Sequence, residues 1–272
     1  VALPDAVAVS GRLADLARAD LVLCVVPAQA TRALAPAIAR AVRPGVPLLS
    51  CAKGIDAGTG QLVSEVLAAE VTASPVAVLS GPGFAAEVAA GLPTAVTIAA
   101  DEEALAEDLC RVLAGGSFRP YASGDVAGVQ LGGALKNVLA IAAGVVAGRR
   151  LGASAEAAVV TRGFVEMRRL AAAWGARAET LMGLSGLGDL ILTCRSLQSR
   201  NFALGHAIGA GEELPARLAE GAATAAIAVR RAEAFGLDVP IMAAVAAVID
   251  HRISVDEAIA ALMARPLKRE DV

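Results

Sequence analysis

Short apolar runs alternate with amphipathic segments through the first half of the chain. The run ADLVLCVVP at 19–27 is uninterrupted and rich in β-branched residues, which is typical of a strand buried on both faces. Further strands are predicted at 46–52, 76–80, 94–99 and 118–122, with helices between them at 31–42, 61–70, 84–90 and 102–113. This alternation predicts an α/β sheet with helices on both of its faces.

Helical periodicity replaces this alternation in the second half, so we divide the chain into a sheet domain at 1–123 and an all-helical domain at 124–272. Asp125 is expected to cap a long apolar helix. A second helix is predicted at 155–174, where Glu166 and Arg169 are spaced to pair at the surface. Three glycines at 183–188 interrupt the next helical segment just before Asp189.

Composition narrows the classes of function. The 272 residues are 56% hydrophobic but only 3% aromatic, and the net charge is −3 without a basic block. A nucleic-acid partner is therefore not expected. The four isolated cysteines indicate reduced thiols in a cytoplasm, with neither a disulfide framework nor a metal site. The longest apolar run, at 138–148, is too short to cross a bilayer.

Lys136 is the first candidate for chemistry. It lies in the apolar segment GVQLGGALKNVLAIAAG at 128–144, and only two other lysines, Lys53 and Lys268, occur among the 24 Lys and Arg residues. Burial favours the neutral amine of a lysine, which then acts as a general base. The alternative is that arginine bias reflects GC-rich coding and that Lys136 merely extends its amine to the surface.

Other candidates lie where ligands collect in α/β sheets, at the carboxyl ends of strands. Lys53 follows the second strand, and the turn SGPGFA, with Gly81 and Gly83, follows the third and opens a helix. A tight turn and an exposed lysine explain these features equally well. Asp189 lies among leucines and needs a cation or several donors, for which Lys136 is the expected partner.

A phosphate site is the candidate further along the chain. Ser199, Arg200 and Asn201 stand next to a predicted helix start, where donors suit an anion. A helix cap beside a solvated arginine is the alternative. No GxGxxG turn opens the chain, although a dinucleotide-binding sheet normally begins with one. We therefore expect an incomplete Rossmann-type domain that lacks its first strands and glycine-rich loop, as in a truncated protein.

Five segments taken together resemble one family: CAKGI at 51–55, SGPGFAAEVAAGLPTAV at 80–96, GVQLGGALKNVLAIAAG at 128–144, GLSGLGDLILTC at 183–194 and QSRN at 198–201. This family is the bacterial-type NAD(P)-dependent sn-glycerol-3-phosphate dehydrogenase. The resemblance implies a Rossmann domain followed by an all-helical domain. It also implies a cytoplasmic enzyme, compatible with a homodimer, that uses NADPH or NADH to interconvert dihydroxyacetone phosphate and sn-glycerol 3-phosphate for phospholipid synthesis.

The resemblance also assigns roles to residues. Lys136 takes the place of the proton acceptor, and the implied substrate contacts are Lys53, Gly81, Gly83, Lys136, Asp189, Ser199, Arg200 and Asn201. The implied cofactor contacts are Lys53, Ala85, Arg200, Leu218 and Glu220. Two departures stand out: Gly83 occupies a position where the family usually has Thr, and Ala222 and Ala223 follow the EG pair where it usually has Arg.

Two other functions remain open from the sequence. One is a related dehydrogenase acting on a β-hydroxyacid such as 6-phosphogluconate, since those enzymes also use a lysine near an asparagine. The triplet Ser199, Arg200, Asn201 favours glycerol phosphate instead. The other is a non-catalytic remnant that serves as an oligomerisation or phosphate-binding module, which the absent glycine-rich loop favours.

Overall fold

The computed structural model describes residues 3–215 and 219–267. The chain forms two compact units, and neither is continuous in sequence. The first unit comprises Val1–Ala134 and Ala171–Leu192, and the second comprises Leu135–Leu170 and Thr193–Val272. We call them the sheet unit and the helical unit. The predicted border at 123/124 falls just before a helix that contributes residues to both units.

The sheet unit contains a five-stranded sheet whose strands follow one another in chain order. Strands β1 to β3 are parallel, β4 runs antiparallel to β3, and β5 is parallel to β4. The strands are β1 Val22–Cys24, β2 Leu48–Ser50, β3 Val76–Ser80, β4 Thr94–Ala100 and β5 Phe118–Ser123. The connecting helices are α1 Ala28–Ala41, α2 Val63–Glu70, α3 Ala85–Ala89 and α4 Glu103–Leu113, and a 3₁₀ turn at Leu13–Arg18 precedes β1.

Helices cover both faces of this sheet, as the alternation predicts. Leu48 packs in a cluster with residues of α1 and α2, whereas its neighbour Leu49 packs in a second cluster with residues of α4. Successive side chains of a strand point to opposite faces, so the two leucines report on the two faces. The prediction for the first strand is wrong in extent and burial. Leu23 is 47% exposed, because β1 is the last strand at one side of the sheet.

A 23-residue helix, α5 Val126–Gly148, contains Lys136. Asp125 caps it as predicted, since its Oδ1 accepts a hydrogen bond from the Gly128 amide at 2.8 Å. Within the described residues α5 is the one helix long and apolar enough to span a membrane, but 78% of its most apolar window is buried in the protein. Such burial is typical of a core helix.

The remaining helices are α6 Ala153–Ala173, α7 Ala178–Met182, α8 Asp189–Thr193, α9 Arg200–Ala210, α10 Glu220–Ala234, α11 Pro240–Ile249 and α12 Val255–Met263. Small residues let α5 and α9 touch through their backbones in the helical unit. A Cβ on Gly144 would collide with the Phe202 carbonyl oxygen, and a Cβ on Gly205 would collide with that of Ile141. The high glycine and alanine content therefore supports close helix packing.

Glu166 contradicts the prediction of a surface pair with Arg169. It is only 5% exposed, and its carboxylate accepts hydrogen bonds from the Ile241 amide at 2.8 Å and the Met242 amide at 3.1 Å. These amides belong to the first turn of α11, whose N–H groups have no acceptor within the helix. Glu166 thus caps α11 from α6, a partner that the i,i+3 spacing does not reveal.

Candidate active site

Lys53 and Asp189 form a partly buried ion pair in the sheet unit. Lys53 follows β2, and its Nζ donates to Asp189 Oδ2 at 2.7 Å and to the Gly81 carbonyl oxygen at 2.8 Å. The Asp189 side chain is 2% exposed and that of Lys53 is 25% exposed. A buried carboxylate requires a partner of opposite charge, and the lysine supplies one while part of it stays accessible. We call Lys53, Gly81 and Asp189 the sheet-unit group.

A π-helical turn at Leu184–Gly188 delivers Asp189 to this position, directly before α8. The glycines predicted to break the helix allow the turn, because a Cβ on Gly186 would collide with the Leu181 carbonyl oxygen. Gly132 of α5 lies against the same turn, and a Cβ there would come within 2.8 Å of the Ser185 oxygen. Glycines therefore permit both the tight turn before Asp189 and the close packing of this turn against α5.

The turn after β3 contributes backbone rather than side chains. A Cβ on Gly81 would come within 2.8 Å of Val96 Cα, so only glycine fits there. A Cβ on Gly83 would meet the Thr94 methyl group at 3.0 Å. Ala85 is the first residue of α3 and is exposed. The Ser80 Oγ before this turn is the one buried side-chain polar atom of the described chain that has no hydrogen-bond partner.

Lys136 is buried in the helical unit. The residue is 5% exposed, and its Nζ donates to Thr193 Oγ1 at 2.5 Å. Thr193 ends α8 and is itself 2% exposed. The alternative that Lys136 extends its amine to the surface is therefore wrong. The Thr193 hydroxyl accepts from the amine and so fixes the direction of the Lys136 side chain. It also gives the amine a polar partner inside an apolar helix.

The starts of α9 and α10 are tied together next to α5. The Asn201 Oδ1 accepts from the Gly221 amide at 2.9 Å, which joins the two helix starts. A Cβ on Gly221 would come within 2.6 Å of the Asn137 carbonyl oxygen, so α5 contacts the same point. The predicted cofactor contact Glu220 directly precedes Gly221 and begins α10. We call Lys136, Thr193 and the residues at these helix starts the helical-unit group.

The predicted phosphate residues all lie at the start of α9. Ser199 caps this helix, because its Oγ accepts from the Phe202 amide at 3.3 Å, and it is 6% exposed. Arg200 is exposed at the first position of the helix, and Asn201 is 8% exposed. A helix cap was the alternative to a phosphate site, and the structure shows that Ser199 does cap α9.

The structure leaves two sequence predictions untested and shows two polar residues that the sequence analysis did not single out. Leu218 lies outside the described residues, and the pairing of Asp189 with Lys136 stays a prediction. Sequence reasoning missed Thr193 and Ser80, although Thr193 follows Asp189 by one helical turn and that spacing is a usable signal. Among residues 3–215 and 219–267, no three His, Cys, Asp or Glu side chains come close enough to hold a metal ion.

Each of the two groups, taken by itself, carries donors that suit an anionic ligand. Lys53 and Arg200 supply cations that reach solvent. Gly83, in the turn after β3, is partly exposed and carries no side chain that would keep a ligand from its backbone. Cations and helix starts are the usual partners of phosphate oxygens. The residues of each group therefore fit the phosphate oxygens of a nicotinamide dinucleotide.

Comparisons with known proteins point the same way. A family model described as NAD-dependent glycerol-3-phosphate dehydrogenase C-terminus matches residues 125–260, and the N-terminus model of the same name matches residues 1–106. The chain is similar to a glycerol-3-phosphate dehydrogenase (NAD(P)+) of Bradyrhizobium sp. strain BTAi1, with 56% identity covering 100% of this chain and 83% of that protein. A relative of the same name from Mesorhizobium japonicum is 56% identical, covering 98% and 78%. The crystal structure of glycerol-3-phosphate dehydrogenase from Coxiella burnetii superposes with a TM-score of 0.87 at 36% identity, covering 93% and 79%.

Proposed function

Since the chain belongs to the NAD-dependent glycerol-3-phosphate dehydrogenase family, we propose that Lys136 exchanges the proton in its reaction. The chain is an NAD(P)H-dependent oxidoreductase that interconverts dihydroxyacetone phosphate and sn-glycerol 3-phosphate. This membership favours the main interpretation over both alternatives from the sequence, a dehydrogenase for a β-hydroxyacid and a non-catalytic remnant. Glycerophospholipid synthesis is the proposed use of the product.

The observation that carries the proposal is a lysine amine held in an apolar helix, 5% exposed and hydrogen-bonded to Thr193 at 2.5 Å. Oxidation of sn-glycerol 3-phosphate removes a hydride from C2 and a proton from the hydroxyl oxygen on that carbon. The nicotinamide, when bound, accepts or supplies the hydride. Lys136 Nζ takes the hydroxyl proton, and in reduction its ammonium donates a proton to the ketone oxygen.

The other site residues are proposed to bind and orient the ligands. Substrate contacts are assigned to Lys53, Gly81, Gly83, Lys136 and Asp189, and phosphate contacts to Ser199, Arg200 and Asn201. Cofactor contacts are assigned to Lys53, Ala85, Arg200, Leu218 and Glu220, with NADPH or NADH as the cofactor. The placement of Arg200 and Asn201 at a helix start and the partial exposure of Lys53 support these roles, because both suit contact with phosphate oxygens.

Cytoplasmic location and a homodimer are also part of the proposal. All four cysteines (Cys24, Cys51, Cys110 and Cys194) are free thiols, which supports a reducing compartment. The family resemblance supports the dimer. Light scattering on the purified protein at several concentrations checks it, and a mass of one chain throughout would contradict it.

The test of Lys136 uses two substitutions and a control at the residue that directly follows the same helix. Lys136→Ala removes the amine, and Lys136→Arg keeps the charge but does not give up a proton at working pH. Both are expected to lower kcat about 10²- to 10⁴-fold, followed as NAD(P)H oxidation with dihydroxyacetone phosphate. Arg149 is exposed and directly follows α5, and Arg149→Ala is expected to keep wild-type turnover. Near-wild-type kcat in either Lys136 variant, with far-UV circular dichroism unchanged, rules Lys136 out as the proton-exchanging group.

A further inference from the structure

The loop that follows Lys53 is attached to α1 through side chains that the reaction itself does not use. The Gln29 Nε2 donates to the Ile55 carbonyl oxygen at 2.8 Å, and its Oε1 accepts from the Ala57 amide at 2.9 Å. Both ends of one amide therefore hold the loop backbone on either side of Asp56. Ile55 is fully buried, which anchors the same stretch from the inside.

Asp56 is the centre of this attachment. Its carboxylate accepts from Arg32 Nη2 at 2.7 Å and Arg32 Nε at 3.2 Å. It also accepts from the Thr59 amide at 2.8 Å and the Thr59 hydroxyl at 2.7 Å. Arg32 Nη2 donates in turn to that hydroxyl at 2.7 Å. The forked bond from Arg32 holds the pKa of Asp56 down to about 2, so the pair stays charged throughout the neutral range.

We propose that Gln29, Arg32 and Asp56 form a clamp that positions Lys53 for the reaction. The proposal rests on the role assigned to Lys53 above. Lys53 lies between two fixed points, the end of β2 at Ser50 and the clamp at Asp56. With its backbone held at both sides, its amine is directed onto the Gly81 oxygen and Asp189.

The geometry of the pair favours positioning over a general contribution to stability. A forked Arg–carboxylate bond fixes direction as well as distance, and here it joins a helix to the one loop that carries Lys53. Another pair in the same unit, Arg43 with Asp20 at 3.0 Å, has an Asp20 side chain that is 97% exposed. The Arg43 guanidinium bonds the Ala19 oxygen and Asp20, which both precede β1 and do not belong to the Lys53 loop. Arg43 therefore provides a matched control, an arginine paired with an aspartate away from that loop.

The experiment compares Arg32→Ala and Asp56→Asn with Arg43→Ala. Displacement of a group by about 1 Å costs up to about 100-fold in rate. We therefore expect kcat/KM for dihydroxyacetone phosphate to fall by about 10- to 100-fold in the two clamp variants and to change less than about 2-fold in the control. Guanidinium chloride at millimolar concentration is expected to restore part of the rate of Arg32→Ala, but to leave Asp56→Asn unchanged.

A second readout does not depend on turnover. The rate at which Lys53 reacts with an amine-selective reagent, measured by peptide mass spectrometry, is expected to rise several-fold in both clamp variants and not in Arg43→Ala. Equal kinetics and equal labelling in Arg32→Ala and Arg43→Ala overturn the clamp. Absence of dihydroxyacetone phosphate reduction by the wild-type protein overturns the proposed function instead, and the labelling rates then still decide on the clamp.

Discussion

Replacement of Glu166 by Gln is expected to remove a pH dependence of stability that the buried carboxyl creates. Burial raises the pKa of Glu166 from an ordinary 4.5 to about 7, against the lowering effect of the Ile241 and Met242 amides that bond to it. Asp238 raises this pKa further and Arg265 lowers it. The glutamine side chain of the variant keeps an oxygen for the two amides but does not titrate.

The magnitude follows from the two pKa values. Between pH 4.5 and 7 the folded protein holds a proton on Glu166 that the unfolded chain has released. Raising the pH through this window therefore favours unfolding. At about 1.4 kcal/mol per pKa unit, the difference between pKa 4.5 and about 7 corresponds to a loss of about 3 kcal/mol in the free energy of unfolding. Below pH 4.5 and well above pH 7 the contribution no longer changes with pH.

The assay is urea unfolding of wild type and Glu166→Gln at several pH values from 4.5 to 8. The difference in unfolding free energy, wild type minus variant, isolates Glu166 because all other groups titrate in both proteins. This difference is expected to fall by about 3 kcal/mol across the window. The control is Glu257→Gln, which removes an exposed carboxylate that caps α12 and whose bonds from Ser254 lower its pKa, so its difference should not fall with rising pH.

A wild-type-minus-variant difference that stays flat between pH 4.5 and 7.5 refutes the argument. A difference that grows with pH refutes it more strongly. It would mean that the amides of α11 stabilise the charged carboxylate by more than burial penalises it.

Three further substitutions test packing and hydrogen bonding. Gly221→Ala places a methyl group within 2.6 Å of the Asn137 oxygen, so thermal unfolding should show a loss of about 1–3 kcal/mol; an unchanged Tm contradicts this contact. Asp125→Ala removes the cap of α5 at the Gly128 amide and should cost about 1 kcal/mol in urea unfolding, whereas no change would show that the cap is dispensable. Ser80→Ala removes the buried hydroxyl without a partner and should raise stability by about 1 kcal/mol, and destabilisation by this variant would show that the hydroxyl is satisfied in solution.

Features set by neighbouring residues were predictable from the sequence. The bounds predicted for β3 agree with the structure, and those for β4 and β5 agree within one residue. Asp125 caps α5 and the glycines interrupt the helix before Asp189, because capping and turn formation depend on residues three or four apart. The candidate site residues were predicted differently, from the resemblance of five segments to one family.

Contacts between distant segments could not be predicted in the same way. Asp189 is bound by Lys53, 136 positions away, and no periodicity connects the two. Glu166 lies 75 positions from the Ile241 amide that it accepts from, so its spacing to Arg169 was the only pattern visible. The length of β1 depends on its place at one side of the sheet, which is a property of the assembled fold.

Each of the two units is built from two separate segments of the sequence, which affects folding during synthesis of the chain. The sheet unit is finished only when Ala171–Leu192 has been added, after the first helices of the other unit. A growing chain that emerges from the ribosome at about 5–20 residues per second therefore has β2 and Lys53 in place well before Asp189 is synthesised. A gene fragment ending at the border predicted from the sequence, 123/124, would produce Lys53 without its counter-ion Asp189, so separate expression of the two halves should yield poorly folded protein.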